Sequence, residues 1–245
     1  VAVPVVAFDG TASGLSADGR TLLLMRPQTR PRPDATTFAV LDPESLGEQQ
    51  EVTLDGYFSF DAISSDGRVV YLIRYTDPPD LTAYEVRGYD LEQGELLPDP
   101  IVDPDEPDEA MTGAPVTRAV SPDGRWAYTL YDSLHRDHPP FIHALDTEGA
   151  TAQCIDLEAL SDDDRRLWRM RLEPSSDGTT LGVTDRGGTL VSVDLETFDV
   201  TEATTDAAAA ARSDPGEPPY AGIAAGAIVV AALLLARRRP RGSGT

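Results

Sequence analysis

The sequence predicts an all-β fold of repeated four-stranded antiparallel units, followed by one membrane-spanning α-helix. Three observations support this expectation. A Ser-x-Asp-Gly phrase between apolar segments occurs four times, a second phrase ending in Asp follows each copy, and a charge-free segment of 17 residues stands near the C-terminus. Self-similarity at a nearly constant period is typical of a fold that is built from repeated units.

The first phrase contains an Asp-Gly pair whose aspartates are 48, 57 and 54 residues apart: Asp18, Asp66, Asp123 and Asp177. Asp-Gly between two apolar runs is a strong β-hairpin signal, because Gly accepts a positive φ and Asp bonds to neighbouring backbone. We interpret these turns as structural rather than as cation sites, since a calcium loop carries a denser series of oxygen ligands.

The second phrase predicts a turn between the third and fourth strands of each unit. It ends 24, 24, 23 and 17 residues after the Asp of its own repeat, at Asp42, Asp90, Asp146 and Asp194. Four-stranded units of roughly 40–50 residues are typical of β-propeller blades. The predicted blades span residues 9–56, 57–113, 114–166 and 167–203. Residues 1–8 are interpreted as the last strand of a preceding blade, so the four blades are expected to belong to a larger ring.

Two of the repeated phrases resemble those of YVTN-type and TolB-like β-propellers. They are Ser-Pro-Asp-Gly-Arg at residues 121–125 and Val-Asp-Leu-Glu at residues 193–196. The resemblance covers about residues 9–203, in four degenerate, WD-like copies that lack the Gly-His and Trp-Asp signatures of true WD repeats. It implies a propeller and little about function, because these families include scaffolds, sensors and a few lactone hydrolases.

The segment 220–236 carries no charge and has about the minimum length for a transmembrane helix. Three arginines follow it directly, so the positive-inside rule predicts a basic cytoplasmic tail over residues 237–245. The expected location is therefore the cell membrane, with a single pass and residues 1–219 outside. Residues 204–219, rich in Ala, Pro and acidic side chains, are expected to form a stalk.

The composition argues against nucleic acid as a partner and against sites that need several cysteines. Acidic residues outnumber basic ones 42 to 20, and the formal charge of −22 repels phosphate backbones, so nucleic acid is not an expected partner. The single cysteine, Cys154, excludes an intrachain disulfide and a cysteine-based metal site.

The longer predicted connections share one face of the propeller, and loops on such a face are where ligands usually bind. They comprise residues 27–36, 75–82, 99–115, 132–140 and 158–167. A protein or small-molecule ligand is expected on this long-connection face. The acidic segment 103–109 within it is interpreted as a solvated loop, with attraction of Ca²⁺ or a basic partner as the alternative.

One of these connections brings together imidazoles and carboxylates. Asp132, His135, Asp137 and His138 are the candidate ligands for Zn²⁺ or a similar divalent ion. A polar surface loop closed by two prolines is the preferred interpretation of the same residues, and no other cofactor is predicted.

The sequence therefore favours a non-catalytic binding or sensing module on the cell surface. It contains no Gly-x-Ser-x-Gly nucleophile elbow and no Gly-rich phosphate loop. Two alternatives stay open: a propeller hydrolase of the lactonase type, and a structural component of the cell surface.

Overall fold

The computed structural model describes residues 2–7, 10–28, 32–77, 80–108, 110–134, 138–161 and 167–203. They form four antiparallel sheets in chain order, which we call blades 1 to 4. Blade 1 contains β1 (Val3–Val6), β2 (Ala12–Ser13), β3 (Leu22–Met25), β4 (Ala35–Leu41) and β5 (Glu48–Asp55). Blade 2 contains β6 (Phe58–Ile63), β7 (Val69–Asp77), β8 (Asp80–Asp90) and β9 (Glu95–Leu96).

Blades 3 and 4 repeat the same four-stranded meander. Blade 3 contains β10 (Ala114–Val120), β11 (Trp126–Asp132), β12 (Phe141–Asp146) and β13 (Thr151–Asp156). Blade 4 contains β14 (Arg171–Pro174), β15 (Thr180–Asp185), β16 (Gly188–Asp194) and β17 (Val200–Glu202). Two short 3-10 helices, Glu158–Leu160 and Leu167–Arg169, lie between these blades. The predicted all-β, propeller-like fold is confirmed.

Neighbouring blades pack face to face, and each pair encloses a hydrophobic core. Phe38 and Leu72 belong to the core between blades 1 and 2, Val86 and Leu145 to the core between blades 2 and 3, and Leu130 and Val183 to the core between blades 3 and 4. Among the described residues, no such core joins blade 4 to blade 1. The larger ring stays a prediction.

The predicted membrane helix at residues 220–236, the stalk and the basic tail all lie outside the described residues. Within the described ranges, no helix has the length and apolar character needed to cross a membrane.

The N-terminal segment differs from its predicted role. Residues 1–8 were expected to end a preceding blade, but β1 pairs with β3 of blade 1, with Pro4 opposite Leu24. The reason lies at Gly14, whose φ is +93° and whose backbone approaches Leu23 so closely that a Cβ would lie 2.7 Å from the Leu23 oxygen. The chain bends there, and β1 takes the place beside β3 that the first strand occupies in the other blades.

The four Asp-Gly turns have the same internal hydrogen bonds. In each, the Ser hydroxyl donates to the Asp carboxylate at 2.5–2.7 Å, from Ser16, Ser64, Ser121 and Ser175. The same carboxylate accepts a backbone N–H two residues later at 3.0–3.2 Å. These donors lower the pKa of Asp18, Asp123 and Asp177, with the Ser hydroxyl as the largest cause. The repeated phrase therefore encodes a self-contained turn.

These turns meet on one face, as their common position between strands one and two predicts. The backbone N–H of Asp18 donates to Ser65 at 3.0 Å, which joins blades 1 and 2. A Cβ added to Gly124 of blade 3 would lie 2.3 Å from Cβ of Ala17 in blade 1. A Cβ added to Gly178 of blade 4 would lie 3.9 Å from Pro122. The turns of blades 1, 2 and 3 therefore approach one another closely at this face.

Gly124→Ala is expected to destabilise the protein more than Gly19→Ala. Both glycines have positive φ, +78° and +70°, so each alanine costs about 1–2 kcal/mol of backbone strain. A Cβ at Gly19 meets nothing within 4 Å, whereas at Gly124 it overlaps Ala17 and adds about 1–3 kcal/mol. Urea unfolding measures both. The Ala17→Gly, Gly124→Ala double variant should recover the difference, and equal losses in the two single variants would contradict the turn contact.

The opposite face carries the long connections, with one correction. Residues 75–82 were predicted as a loop, but β7 and β8 continue through Tyr75 opposite Tyr84 and end with Asp77 opposite Asp80. The connection that leads to blade 3 lies along the β8 edge of this extended hairpin. There the Gly113 N–H donates to the Thr82 carbonyl at 2.9 Å.

Candidate functional site

The predicted metal ligands are only partly described. His135 and Asp137 lie outside the described residues, so the four-residue set stays a prediction. Asp132 ends β11 and accepts the backbone N–H of Leu134 at 2.9 Å. His138 is exposed, and its carbonyl accepts the Ser133 hydroxyl at 2.7 Å. No group of three His, Cys, Asp or Glu side chains is placed to hold a metal ion in the part of the chain that is described.

His138 instead faces a pocket of about 540 Å³ between blades 2 and 3, on the long-connection face. This volume lies within the range of small-ligand sites. The connection between the two blades forms one wall, and the outer strands of blade 3 form the other. Four carboxylates line the pocket, together with polar and apolar groups: Asp103, Asp105, Glu106 and Asp156, with Ser133, Gln153, Cys154, Ala110, Met111, Thr112, Pro139 and Phe141. We call it the acidic pocket.

Asp103 anchors the connection to blade 3. Its carboxylate accepts the Gln153 side-chain amide at 2.8 Å, the Cys154 backbone N–H at 2.9 Å and the Asp105 backbone N–H at 2.9 Å. Asp103 is buried, so the interpretation of segment 103–109 as a fully solvated loop is wrong for its first residue. Three donors compensate the carboxylate for the water it loses. Asp105 and Glu106 remain exposed and bring their charges to the pocket.

An aromatic stack supplies the apolar wall. Phe141 lies parallel to Tyr131, with ring centroids 5.1 Å apart, and Tyr131 lies parallel to Tyr84 of blade 2 at 4.9 Å. Burial raises the pKa of Tyr131 well above its ordinary value, so the phenol stays neutral. The stack crosses the blade boundary and holds Phe141 at the pocket wall, where its ring can support an apolar ligand segment.

No arginine accompanies the four carboxylates among the described residues that line the pocket. The pKa of Asp156 is raised, first by desolvation and then by the negative charges of Glu158 and Glu106, while His138 opposes the shift. Like charges in one partly enclosed space favour any group that brings a positive charge. The pocket is therefore suited to a cation.

Behind the pocket, a row of polar residues crosses blade 3 at one register. Arg118 on β10 lies opposite Thr129 on β11, Thr129 opposite His143 on β12, and His143 opposite Cys154 on β13. We call these four residues the polar row. The polar row lies in the interface between blades 2 and 3, beside the hydrophobic core that joins them. Asp61 and Asp103 approach it from the side of blade 2.

His143 is the least satisfied member of the polar row. It is almost completely buried, and neither ring nitrogen has a hydrogen-bond partner within the described residues. Burial lowers the pKa of His143, while the charges of Asp61 and Asp103 act in the opposite direction. His143, Asp61 and Arg118 were not among the site residues predicted from the sequence. One sequence feature could have indicated them: each of four β-strands of blades 2 and 3 carries a polar residue among apolar ones.

No family model matches the chain, and no curated protein matches it either. Similar solved structures include hydrazine synthase of Kuenenia stuttgartiensis, with 22% identity, a TM-score of 0.48, and coverage of 77% of this chain and 46% of that one. TolB of Acinetobacter baumannii has 15% identity, a TM-score of 0.46, and coverage of 78% and 42%.

The Cps50 (Swd1) β-propeller domain of Myceliophteria thermophila has 12% identity, a TM-score of 0.43, and coverage of 83% of this chain and 57% of that one. The chain thus spans about half the length of the solved chains that it matches.

Proposed function

We propose that the chain is a non-catalytic binding module at the cell surface, and that the acidic pocket holds a cationic group of its ligand. The proposal depends chiefly on one observation: four carboxylates share a pocket of about 540 Å³, where mutual repulsion contributes to a raised pKa at Asp156. A bound ammonium or guanidinium group relieves that repulsion.

The apolar wall narrows the class of ligand. Phe141, Met111 and Pro139 line the same space as the carboxylates. A lysine or arginine side chain combines an apolar stem with a charged head, so it matches a pocket that offers both surfaces. A basic side chain of a peptide or protein partner is therefore the proposed occupant.

The cell-surface location is a proposal that depends on the sequence alone. The charge-free segment 220–236 and the arginines after it support membrane anchoring, and the long-connection face would then be presented outside the cell. A hydrolase of the lactonase type and a structural surface component remain the alternatives.

Binding of short peptides to the full chain in a non-ionic detergent tests the proposal. Peptides of one length with Lys, Arg or norleucine at the centre are titrated calorimetrically, and the two basic peptides are expected to bind more tightly than the norleucine peptide. Glu106→Gln with Asp156→Asn is expected to lower the affinity for the basic peptides about tenfold, a loss of roughly 1.4 kcal/mol.

A second double variant controls for the acidic surface as a whole. Glu44→Gln with Glu196→Gln removes the same number of charges from exposed positions next to the second-phrase turns, on the opposite face. It should leave the affinity nearly unchanged. Equal losses in both double variants would show diffuse attraction to the acidic surface and would refute the pocket.

A further inference from the structure

A second pocket lies at the inner end of the polar row, where the first strands of blades 1 to 3 approach one another. Its volume is about 440 Å³, and its lining includes Val6, Tyr57, Tyr75, Pro115 and Arg118. On the opposite face, the Asp-Gly turns of blades 1 and 3 approach each other at Ala17 and Gly124. We call this second pocket the channel mouth, and it opens on the long-connection face.

Arg118 presents unused hydrogen-bond donors to the channel mouth. Its Nε donates to Asp61 at 3.3 Å, and the two Nη groups make no hydrogen bond to any described residue. The side chains of Arg118 and Asp61 are only 12% and 2% exposed. The Nη groups are not among the fully buried atoms that lack a partner, so they reach the cavity, where an anion can accept hydrogen bonds from a charge that is largely shielded from bulk water.

Aromatic rings form another wall of the same cavity. Tyr57 and Tyr75 contact each other with ring centroids 4.7 Å apart, and the Tyr75 hydroxyl lies 3.2 Å from the Ser59 hydroxyl. Desolvation raises the pKa of Tyr57, which keeps this phenol neutral. A planar or apolar ligand body can pack against these rings while an acidic group reaches Arg118.

The charge balance selects the kind of anion. Asp61 already neutralises much of the Arg118 charge, and the other arginine at the channel mouth, Arg26, is paired with Glu48 and Glu51. A monoanion is therefore better matched than a phosphate dianion. A carboxylate also fits the two adjacent Nη donors in the bidentate geometry that guanidinium groups favour.

The geometry points to a carboxylate-binding site at the channel mouth, in which Arg118 holds the acid group and the Tyr57–Tyr75 pair holds the ligand body. This site is independent of the acidic pocket, because it takes a ligand of opposite charge and uses none of the same residues. Either site can therefore fail in experiment without affecting the other.

Calorimetric titration of the full chain with benzoate tests the site, with benzyl alcohol as the uncharged comparison and phenylphosphonate as the dianion. Benzoate is expected to bind saturably and at least about tenfold more tightly than either comparison ligand. Arg118→Lys keeps a positive charge beside Asp61 but removes the planar fork, so it should weaken benzoate binding about tenfold.

Arg74→Lys is the matched control, because Arg74 belongs to β7 next to Tyr75 but pairs with Glu85 and does not line the channel mouth. It should bind benzoate like the wild type. If circular dichroism shows that Arg118→Lys does not fold, Tyr57→Leu is tested in its place and should also weaken benzoate binding. Absence of saturable benzoate binding, equal binding of benzyl alcohol, or tighter binding of phenylphosphonate would each overturn the proposal.

Discussion

Replacing Asp61 by alanine is expected to lower the free energy of unfolding by about 3–5 kcal/mol, which is the effect of breaking a buried ion pair. Asp61 sits at an irregularity in β6, where the pairing with β7 shifts between Phe60 and Ala62. From there its carboxylate reaches blade 3 and accepts Arg118 Nε at 3.3 Å and the Thr129 hydroxyl at 2.9 Å. The variant leaves a guanidinium group almost buried without its counter-charge.

Urea unfolding of a double-mutant cycle measures this pair. Asp61→Ala and Arg118→Ala should each be strongly destabilising, and the double variant should lose less than the sum by about 0.5–3 kcal/mol, because the second change removes the charge that the first one stranded. Thr129→Val tests the remaining donor and should cost about 1 kcal/mol. Strict additivity of Asp61→Ala and Arg118→Ala would contradict a direct interaction between blades 2 and 3.

His143→Leu is expected to remove part of the loss of stability that the wild type shows in acid. Burial lowers the pKa of His143 in the folded protein, whereas an unfolded histidine titrates near 6.5. As the pH falls below about 6.5, the unfolded chain binds a proton that the folded protein resists, so stability decreases. Between pH 7.5 and pH 5.5 this contribution amounts to at most about 1.4 kcal/mol, the limit in which the folded protein takes up no proton at His143.

The charged groups around His143 determine how far its pKa is lowered, and therefore how large the pH dependence of stability is. Asp61 and Asp103 oppose the lowering, while Tyr131 and Cys154 are the neighbours of His143 on the adjacent strands. Urea unfolding at pH 7.5, 6.5 and 5.5 should show a smaller decrease for His143→Leu than for the wild type. Ile142→Val provides the control, since it changes a buried residue of the same strand without removing a titratable group and should follow the wild-type decrease. Identical decreases in His143→Leu and the wild type would refute the assignment.

The blades were predictable because the signals that define them are local. An Asp-Gly pair and its Ser two residues earlier satisfy one another within five residues, as the Ser16–Asp18 hydrogen bond of 2.6 Å shows. The same holds for the second phrase, in which Asp146 accepts the backbone N–H groups of Glu148 and Gly149. Such turns are specified mainly by the residues within them. Sequence spacing alone therefore predicted the sheet order of blades 2 to 4.

The errors fall where a residue's surroundings come from a distant part of the chain. Residues 1–8 were placed in a preceding blade because the sequence does not reveal the bend at Gly14 that lets β1 pair with β3. Asp103 looked solvated because its neighbours in sequence are acidic, yet its main donors, Gln153 and Cys154, lie about 50 residues further on. The composition of a segment therefore does not predict the burial of each residue, which depends on contacts with distant parts of the chain.

The sequence by itself determined the repeated all-β architecture, the turns that meet on one face, and the acidic character of the chain. Only the tertiary structure decided which polar residues act together. Arg118, Thr129 and His143 belong to different strands, and Asp61 reaches them from another blade. A hairpin is specified by adjacent residues, whereas a site between blades depends on the packing of two faces. No local signal in the chain specifies that packing.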